Sequence, residues 1–144
     1  MIPTTILDRV MSFLGKPRDY RGLRGVGQRW ERLARRRLEA EGYEILEANY
    51  RARGGEIDFV ARERGVLCFV EVKGRSGPAF GTPAEAVTEE KQRRIVWAAE
   101  QYLARQPRRI ECRFDVVAIA EDVERGGDTR IEILRAAFEA PPER

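Results

Sequence analysis

A chain of 144 residues, 42% hydrophobic and 35% charged, is long enough to build one domain around a core of its own and too short for a second. It has no histidine and two cysteines, which excludes a four-ligand zinc site and any mechanism resting on a histidine base; acid and base roles fall to carboxylates, lysine, tyrosine or water. The net charge of +3, from 27 basic against 24 acidic residues, is a weak nucleic-acid signal, and with Lys16, Lys73 and Lys91 as the only lysines the arginine excess reflects coding composition more than a binding face.

Within Met1 to Tyr20 the apolar segment Ile6 to Leu14 is interrupted by Asp8 and Arg9. It is too short and too charged to span a membrane, and reads as an extension or a short amphipathic helix. The spacing of Val26, Trp30, Leu33, Ala34 and Leu38 predicts a helix over Leu23 to Glu41, with Gly42 as its stop. Glu31 falls on the flank of that stripe, about 20° from Leu38, and points along the boundary between helix and sheet; pairing with Arg35 at i,i+4 is the alternative. Arg32, Arg35, Arg36 and Arg37 lie on the polar side. Tyr43 to Ala48 reads as a first strand, and Arg51-Ala52-Arg53-Gly54-Gly55 as the turn after it.

Two further strands follow, over Gly54 to Val60 and Leu67 to Lys73, joined at Glu63-Arg64-Gly65. The run Gly74 to Pro78 reads as a flexible loop. Thr82-Pro83-Ala84-Glu85 is a capping box with proline at the first helical position, and Thr88 caps a main helix whose stripe is Ile95, Ala98, Ala99, Tyr102 and Leu103, ended by Pro107. Ile110 to Ala120 is a fourth strand, in which Asp115 is expected to pair with an arginine. Glu124 to Asp128 is a glycine-rich turn, Thr129 to Leu134 a fifth strand, and Glu139 to Arg144 a tail. Cys68 and Cys112 sit in apolar strand patterns, so free buried thiols in the reducing cytoplasm are expected.

The chemistry concentrates in the central hairpin. If Arg64 and Gly65 form a two-residue loop, residue 63 faces 66, and the same register sets Asp58 opposite Glu71; a bulge at Gly65 would make them diagonal neighbours. Opposed residues have Cβ atoms roughly 4.5–5.5 Å apart, so two carboxylates would share one small space, with Lys73 projecting from the same face as Glu71. Like charges so placed call for a cation between them, either the Lys73 ammonium or a hard divalent ion such as Mg²⁺ or Mn²⁺. A solvated hairpin face is the plainer alternative, since Glu-x-Lys alone arises often by chance. Lysine matters here because its compact ammonium is not exchangeable with a guanidinium in a tight pocket.

Asp58 with Glu71-Val72-Lys73 resembles the Asp…Glu-x-Lys core of restriction-endonuclease-like nucleases. Asn49-Tyr50-Arg51, Gly55-Glu56-Ile57-Asp58, Phe69-Val70-Glu71-Val72-Lys73-x-Arg75, Phe80-Gly81 and Arg113-Phe114-Asp115-Val116-Val117 together resemble the YraN family, whose members are similar to Holliday-junction resolvases, over Gly27 to Phe138. The resemblance implies an α/β sandwich with a mixed central sheet flanked by helices, in keeping with the order helix, three-strand meander, helix, strand, strand. It implies a Mg²⁺- or Mn²⁺-dependent nuclease acting on DNA, branched DNA included. Asp58, Glu71 and the Val72 carbonyl would hold the metal, Lys73 would orient or deprotonate the attacking water, and Glu31, in the family's Glu-x-x-Ala pattern, would assist. Lys91 and Gln92 match the family's Lys-Gln pair and, with Arg51 and Arg75, would face nucleic acid; for Gln92 an ordinary solvated helix position is the alternative. The family has glycine before the helical glutamate, where this chain has Trp30, which bears on how closely that helix approaches the sheet.

The expected organisation is an N-terminal extension over 1–22, the restriction-endonuclease-like domain over 23–138 and a tail over 139–144, with DNA as partner, no membrane, and a homodimer left open. Two other classes stay in view: a nucleic-acid-binding protein with a vestigial site, binding DNA equally well in EDTA, and a scaffolding protein that binds neither metal nor DNA.

Overall fold

The computed structural model describes residues 24–76, 89–107, 110–122 and 128–139. Helix α1 (Arg24–Ala40) precedes strands β1 (Glu44–Ala52), β2 (Gly55–Glu63) and β3 (Val66–Ser76); helix α2 (Glu89–Ala104) then leads to β4 (Cys112–Asp122) and β5 (Asp128–Phe138). The strands form one sheet in the order β1-β2-β3-β4-β5. Every neighbouring pair is antiparallel except β3 and β4, which run parallel and need α2 as their crossover. The expected α/β fold with a mixed sheet is the one found, compatible with a restriction-endonuclease-like sandwich.

Each helix covers one face. On one side Trp30, Ala34 and Leu38 of α1 pack on Phe59, Ala61, Cys68, Val70, Val117 and Ile119. On the other, Ile95, Ala98 and Ala99 of α2 cover Ile57, Val60, Phe69, Val116 and Ala118, with Phe114 stacked on Phe138 at 4.9 Å. The i, i+4 spacing of the apolar residues on α1 delivers its stripe to the sheet. The helix ends as Gly42 requires: at φ +94, its N–H bonds the Glu39 carbonyl and the Tyr43 N–H the Leu38 carbonyl, a Schellman closure with Tyr43 and Leu38 both in the core.

Several boundaries differ from the sequence reading. Gly74-Arg75-Ser76 is not a loop: it continues β3, paired with Ile119, Ala120 and Glu121 of β4, because a parallel partner supplies ladder bonds that local glycine content cannot reveal. β1 and β5 also run several residues beyond the alternating stretches, and α2 stops at Ala104, three residues before Pro107. Cys68 and Cys112 are free, but only Cys68 is buried; Cys112, at the start of β4, is half-exposed. Burial pushes both thiols up, that of Cys68 to about 12. The N-terminal extension, the capping box at 82–85, Thr88, Phe80-Gly81, nearly all of the glycine-rich turn and the last five residues lie outside the described residues.

Candidate functional site

The β2–β3 hairpin turns at Arg64 (φ 49) and Gly65 (φ 79), the two positive φ values of a type I′ loop. Residue pairs run from Glu63↔Val66 to Phe59↔Val70, the register expected of a two-residue loop. The next pair in that register is Asp58 and Glu71, and there the ladder stops. The Asp58 side chain reaches across instead, and its Oδ2 accepts a 2.8 Å hydrogen bond from the Val72 N–H. The break shows in the strand's faces as well. Ile57 lies in the core under α2 whereas Phe59, two residues on, lies in the core under α1, although residues two apart in a regular strand share a face. On β1 the residue across from Asp58, between the pairs Ala48↔Phe59 and Tyr50↔Ile57, is Asn49, with a left-handed backbone at φ 54. The twist at Asn49 and Asp58 brings the aspartate out of the ladder and toward the Glu71-Val72-Lys73 backbone.

Around this break four carboxylates influence one another. Glu71 is nearly buried and its Oε1 lies 3.6 Å from Lys73 Nζ, both side chains projecting to one face of β3. Glu31 is half-buried on the flank of α1. It is not paired with Arg35, which bonds Glu39 at 3.0 Å, but hydrogen-bonds Asn49. Burial chiefly, then the charge of Glu56, holds its carboxyl above the usual range, with the Asn49 bond pulling the other way. Asp58 is pushed well above the carboxylate range, first by burial, then by the charge of Glu71 and, more weakly, of Glu31 and Glu56, with the Val72 N–H opposing. Enclosed carboxylates that repel one another have one ready remedy, a positive charge brought among them.

Helix α1 comes close to this region despite Trp30. The indole lies over Gly74, where an added Cβ would collide with its ring, so a glycine on the strand makes the room that the tryptophan needs. Gln92 is fully buried on α2, one turn from Ile95, which removes the reading of a solvated helix position. The Arg51 side chain is 81% exposed and lies 3.9 Å from Glu56. The side chains of Lys91 and Arg75 lie outside the described residues. Sequence reasoning missed Asn49, Glu56 and Gly74 as parts of the arrangement. Asn49 carried a signal, since asparagine tolerates the left-handed region better than most residues, whereas the role of Gly74 depends on a tryptophan 44 positions away.

The donor set suits a hard divalent cation more than a soft one, being oxygen alone. Among the described residues no group of three or more His, Cys, Asp or Glu side chains is arranged to hold a metal ion, so a closed protein cage is not what the geometry offers. Two neighbouring carboxylates fit Mg²⁺ or Mn²⁺, which take one or two carboxylates and keep several waters. No helix is long and apolar enough to cross a membrane among the described residues.

The chain matches the model of the Uncharacterised protein family UPF0102 over residues 30–119, a span that contains every site residue named above. A UPF0102 protein of Symbiobacterium thermophilum is 48% identical over 122 residues, covering 81% of this chain and 98% of the relative. A UPF0102 protein of Acidovorax sp. is 44% identical over 138 residues, covering 90% of this chain and 99% of the relative. One of Chlorobaculum parvum is 44% identical over 117 residues, covering 78% and 91%.

Proposed function

The chain belongs to the UPF0102 family, which is the YraN family its motifs resemble, and from its carboxylate site we propose that it is a Mg²⁺- or Mn²⁺-dependent nuclease that hydrolyses phosphodiester bonds in DNA, branched DNA included. The observation that carries this reading is the enclosed Asp58 carboxylate, held by the Val72 N–H at 2.8 Å and surrounded by the charges of Glu71, Glu31 and Glu56. Asp58 thus sits among three further carboxylates, with Lys73 against one of them.

In this reading Asp58, Glu71 and the Val72 carbonyl would hold the ion, which when bound would polarise the scissile phosphate. Lys73, 3.6 Å from Glu71, orients the attacking water or, when neutral, takes its proton. Glu31 approaches from the helix side, beside Asn49, and would assist through a second metal or a water. Arg51, Arg75 and Lys91 belong to the nucleic-acid side of the site, whereas Gln92, fully buried on α2, does not face nucleic acid. Free thiols at Cys68 and Cys112 are in keeping with a cytoplasmic protein.

The test is a metal-titrated cleavage assay on branched, single-stranded and duplex DNA, with wild type and the variants Asp58→Asn, Glu71→Gln and Lys73→Met. Cleavage that needs Mg²⁺ or Mn²⁺ and drops at least 100-fold in each variant is the expected result. Binding that is unchanged in EDTA, with no cleavage under any metal, would assign the chain instead to non-catalytic nucleic-acid binding.

A further inference from the structure

Trp97 is the one large hydrophobic side chain exposed among the described residues, at 52%, and it is nevertheless fixed in place. Its Nε1 donates a 2.6 Å hydrogen bond to the Arg53 carbonyl, which also accepts from Gln101 Nε2 at 3.2 Å. The indole rests on the turn between β1 and β2, where a Cβ on Gly54 would lie 3.6 Å from Cδ1 and Nε1. A Cβ on Gly55 would collide with the Arg94 carbonyl, so the two glycines let α2 and its tryptophan settle directly onto the turn. A ring held rigidly on a glycine turn, with much of its surface in water, loses little entropy when a second flat group covers it.

Its neighbours decide what that group is. Arg51 and Arg53 are exposed on the same turn, and Arg94 is exposed on the same helix. The pairs Arg51–Glu56 at 3.9 Å and Arg94–Glu90 at 2.9 Å lie at the surface, where such pairs are worth little and yield readily to a phosphate. One ring amid long polar side chains is far too small an apolar patch for a stable protein interface, which buries about 1,200–2,000 Å². It is the right size for one base, since stacking on an aromatic side chain needs a single ring and flanking cations for the backbone. Gly54 precedes Asp58 by four residues along β2, about 13 Å at strand rise, so the ring and the carboxylate site are within reach of one short stretch of polynucleotide.

We propose that Trp97, with Arg51 and Arg53, forms a stacking platform for an unpaired nucleotide, so that the substrate engaged by this protein carries single-stranded character next to the scissile phosphate. This rests on the nuclease reading for its partner class, but it concerns binding and is tested without turnover. Labelled oligothymidylate and a duplex of equal length are titrated in EDTA at fixed salt and followed by anisotropy, with wild type, Trp97→Ala, Trp97→Phe and Trp97→Leu. The expected result is single-strand affinity reduced about tenfold in Trp97→Ala and in Trp97→Leu, within the range for loss of one stacked base. Trp97→Phe should stay within about threefold of wild type, and duplex binding within twofold in every variant. If the alanine variant does not fold, the phenylalanine and leucine variants carry the comparison, because both keep apolar bulk and only one keeps a ring. Equal single-strand affinity in wild type and leucine variant overturns the platform and leaves the nuclease reading standing. A wild type that binds no nucleic acid either in EDTA or with Ca²⁺ in place of Mg²⁺ overturns both. Sedimentation that shows a dimer lost in Trp97→Leu, with DNA binding unchanged, reassigns the ring to self-association and overturns the proposal.

Discussion

Strand β2 carries a buried acid at Glu63 and a part-buried one at Asp58, and the two are treated in opposite ways. At the Glu63 end, Arg135 grips the carboxylate through Nε at 2.8 Å and Nη2 at 2.7 Å, and Arg113 donates to it as well. Arg113 also pairs with Asp115 at 2.9 Å, whose carboxylate accepts from the Tyr43 hydroxyl and the Ala136 N–H, each at 2.9 Å. Every negative charge there meets guanidinium or donor, and the arginine contacts hold Glu63 down to about 2. At the Asp58 end the neighbours are Glu71, Glu31 and Glu56, and the carboxyl is pushed up. A chain able to neutralise buried acids with arginine at one end of a strand leaves them facing one another at the other. The difference teaches that arginine balances the charge at the Glu63 end, whereas at the Asp58 end Lys73, 3.6 Å from Glu71, is set against several carboxylates.

The sharpest way to break the comparison is to make the same substitution at both ends. Asp115→Asn turns an amide toward the donors Asp115 serves and leaves Arg113 with Glu63 as its remaining carboxylate, which should cost about 1–3 kcal/mol of stability, a fall in melting temperature on the order of 5–10 °C. Asp58→Asn keeps a carbonyl oxygen for the Val72 N–H while removing one of several like charges, so in EDTA it should melt at or above the wild-type temperature. Added Mn²⁺ at about 100 times its dissociation constant should stabilise wild type and Asp115→Asn by about 2.7 kcal/mol each and leave Asp58→Asn unmoved. Thermal melts with and without metal check all of this; a destabilised Asp58→Asn beside a metal-blind wild type would show both ends to be structural.

A smaller effect separates the two ends by pH, measured by denaturant unfolding in EDTA. Glu63 has its folded pKa lowered to about 2, so the unfolded chain binds the proton more readily; its contribution is fully present above the ordinary glutamate range and is lost as pH falls toward 2. That loss should be on the order of 2 kcal/mol, and Glu63→Gln should flatten it. Asp58, pushed up, behaves inversely: its proton is held more tightly in the folded state, so stability rises as pH falls through its folded pKa. That acid-side gain should vanish in Asp58→Asn. A stability curve of the same shape in wild type and both variants would mean that neither carboxylate senses its surroundings as described.

The parts of this arrangement legible in the sequence were those carried by short-range rules. Alternation and the Arg64-Gly65 loop predicted the β2–β3 register, helical periodicity predicted both helices, and the arginine partner of Asp115 was expected from an acid within an apolar strand. Parity placed Glu71 and Lys73 on one face correctly. Parity also predicted a simple opposition of Asp58 and Glu71, and there it failed, because the ladder ends at Phe59↔Val70. That failure coincides with a feature outside the hairpin, the left-handed Asn49 on β1. The burial of Gln92, the room that Gly74 gives Trp30 and the extension of β3 through Ser76 likewise depend on residues distant in sequence, and no local pattern announces them.

The smallest expected effect tests how the open end is held in shape. Asn49 does two separable things: its backbone at φ 54 accompanies the break in the ladder, and its side chain hydrogen-bonds Glu31. Asn49→Gly keeps the conformation, since glycine enters the left-handed region without steric cost, and loses the side-chain bond. Asn49→Ala loses the bond and also strains the backbone, adding about 1 kcal/mol of destabilisation relative to the glycine variant. If Asn49 matters to the site chiefly by holding Glu31, both variants should weaken Mn²⁺ binding by the same few-fold factor in calorimetry, while their stabilities differ by that 1 kcal/mol. If the backbone turn is what sets Asp58 against Val72, Asn49→Gly should bind Mn²⁺ as wild type does and Asn49→Ala should bind it less well. Asn49→Asp separates the bond from the charge: it can keep the turn but sets a further carboxylate beside Glu31, so metal-free stability should fall and the gain on adding Mn²⁺ should exceed that of wild type. Identical metal affinity and identical stability across all three variants would mean that the turn at Asn49 takes no part in shaping the carboxylate cluster.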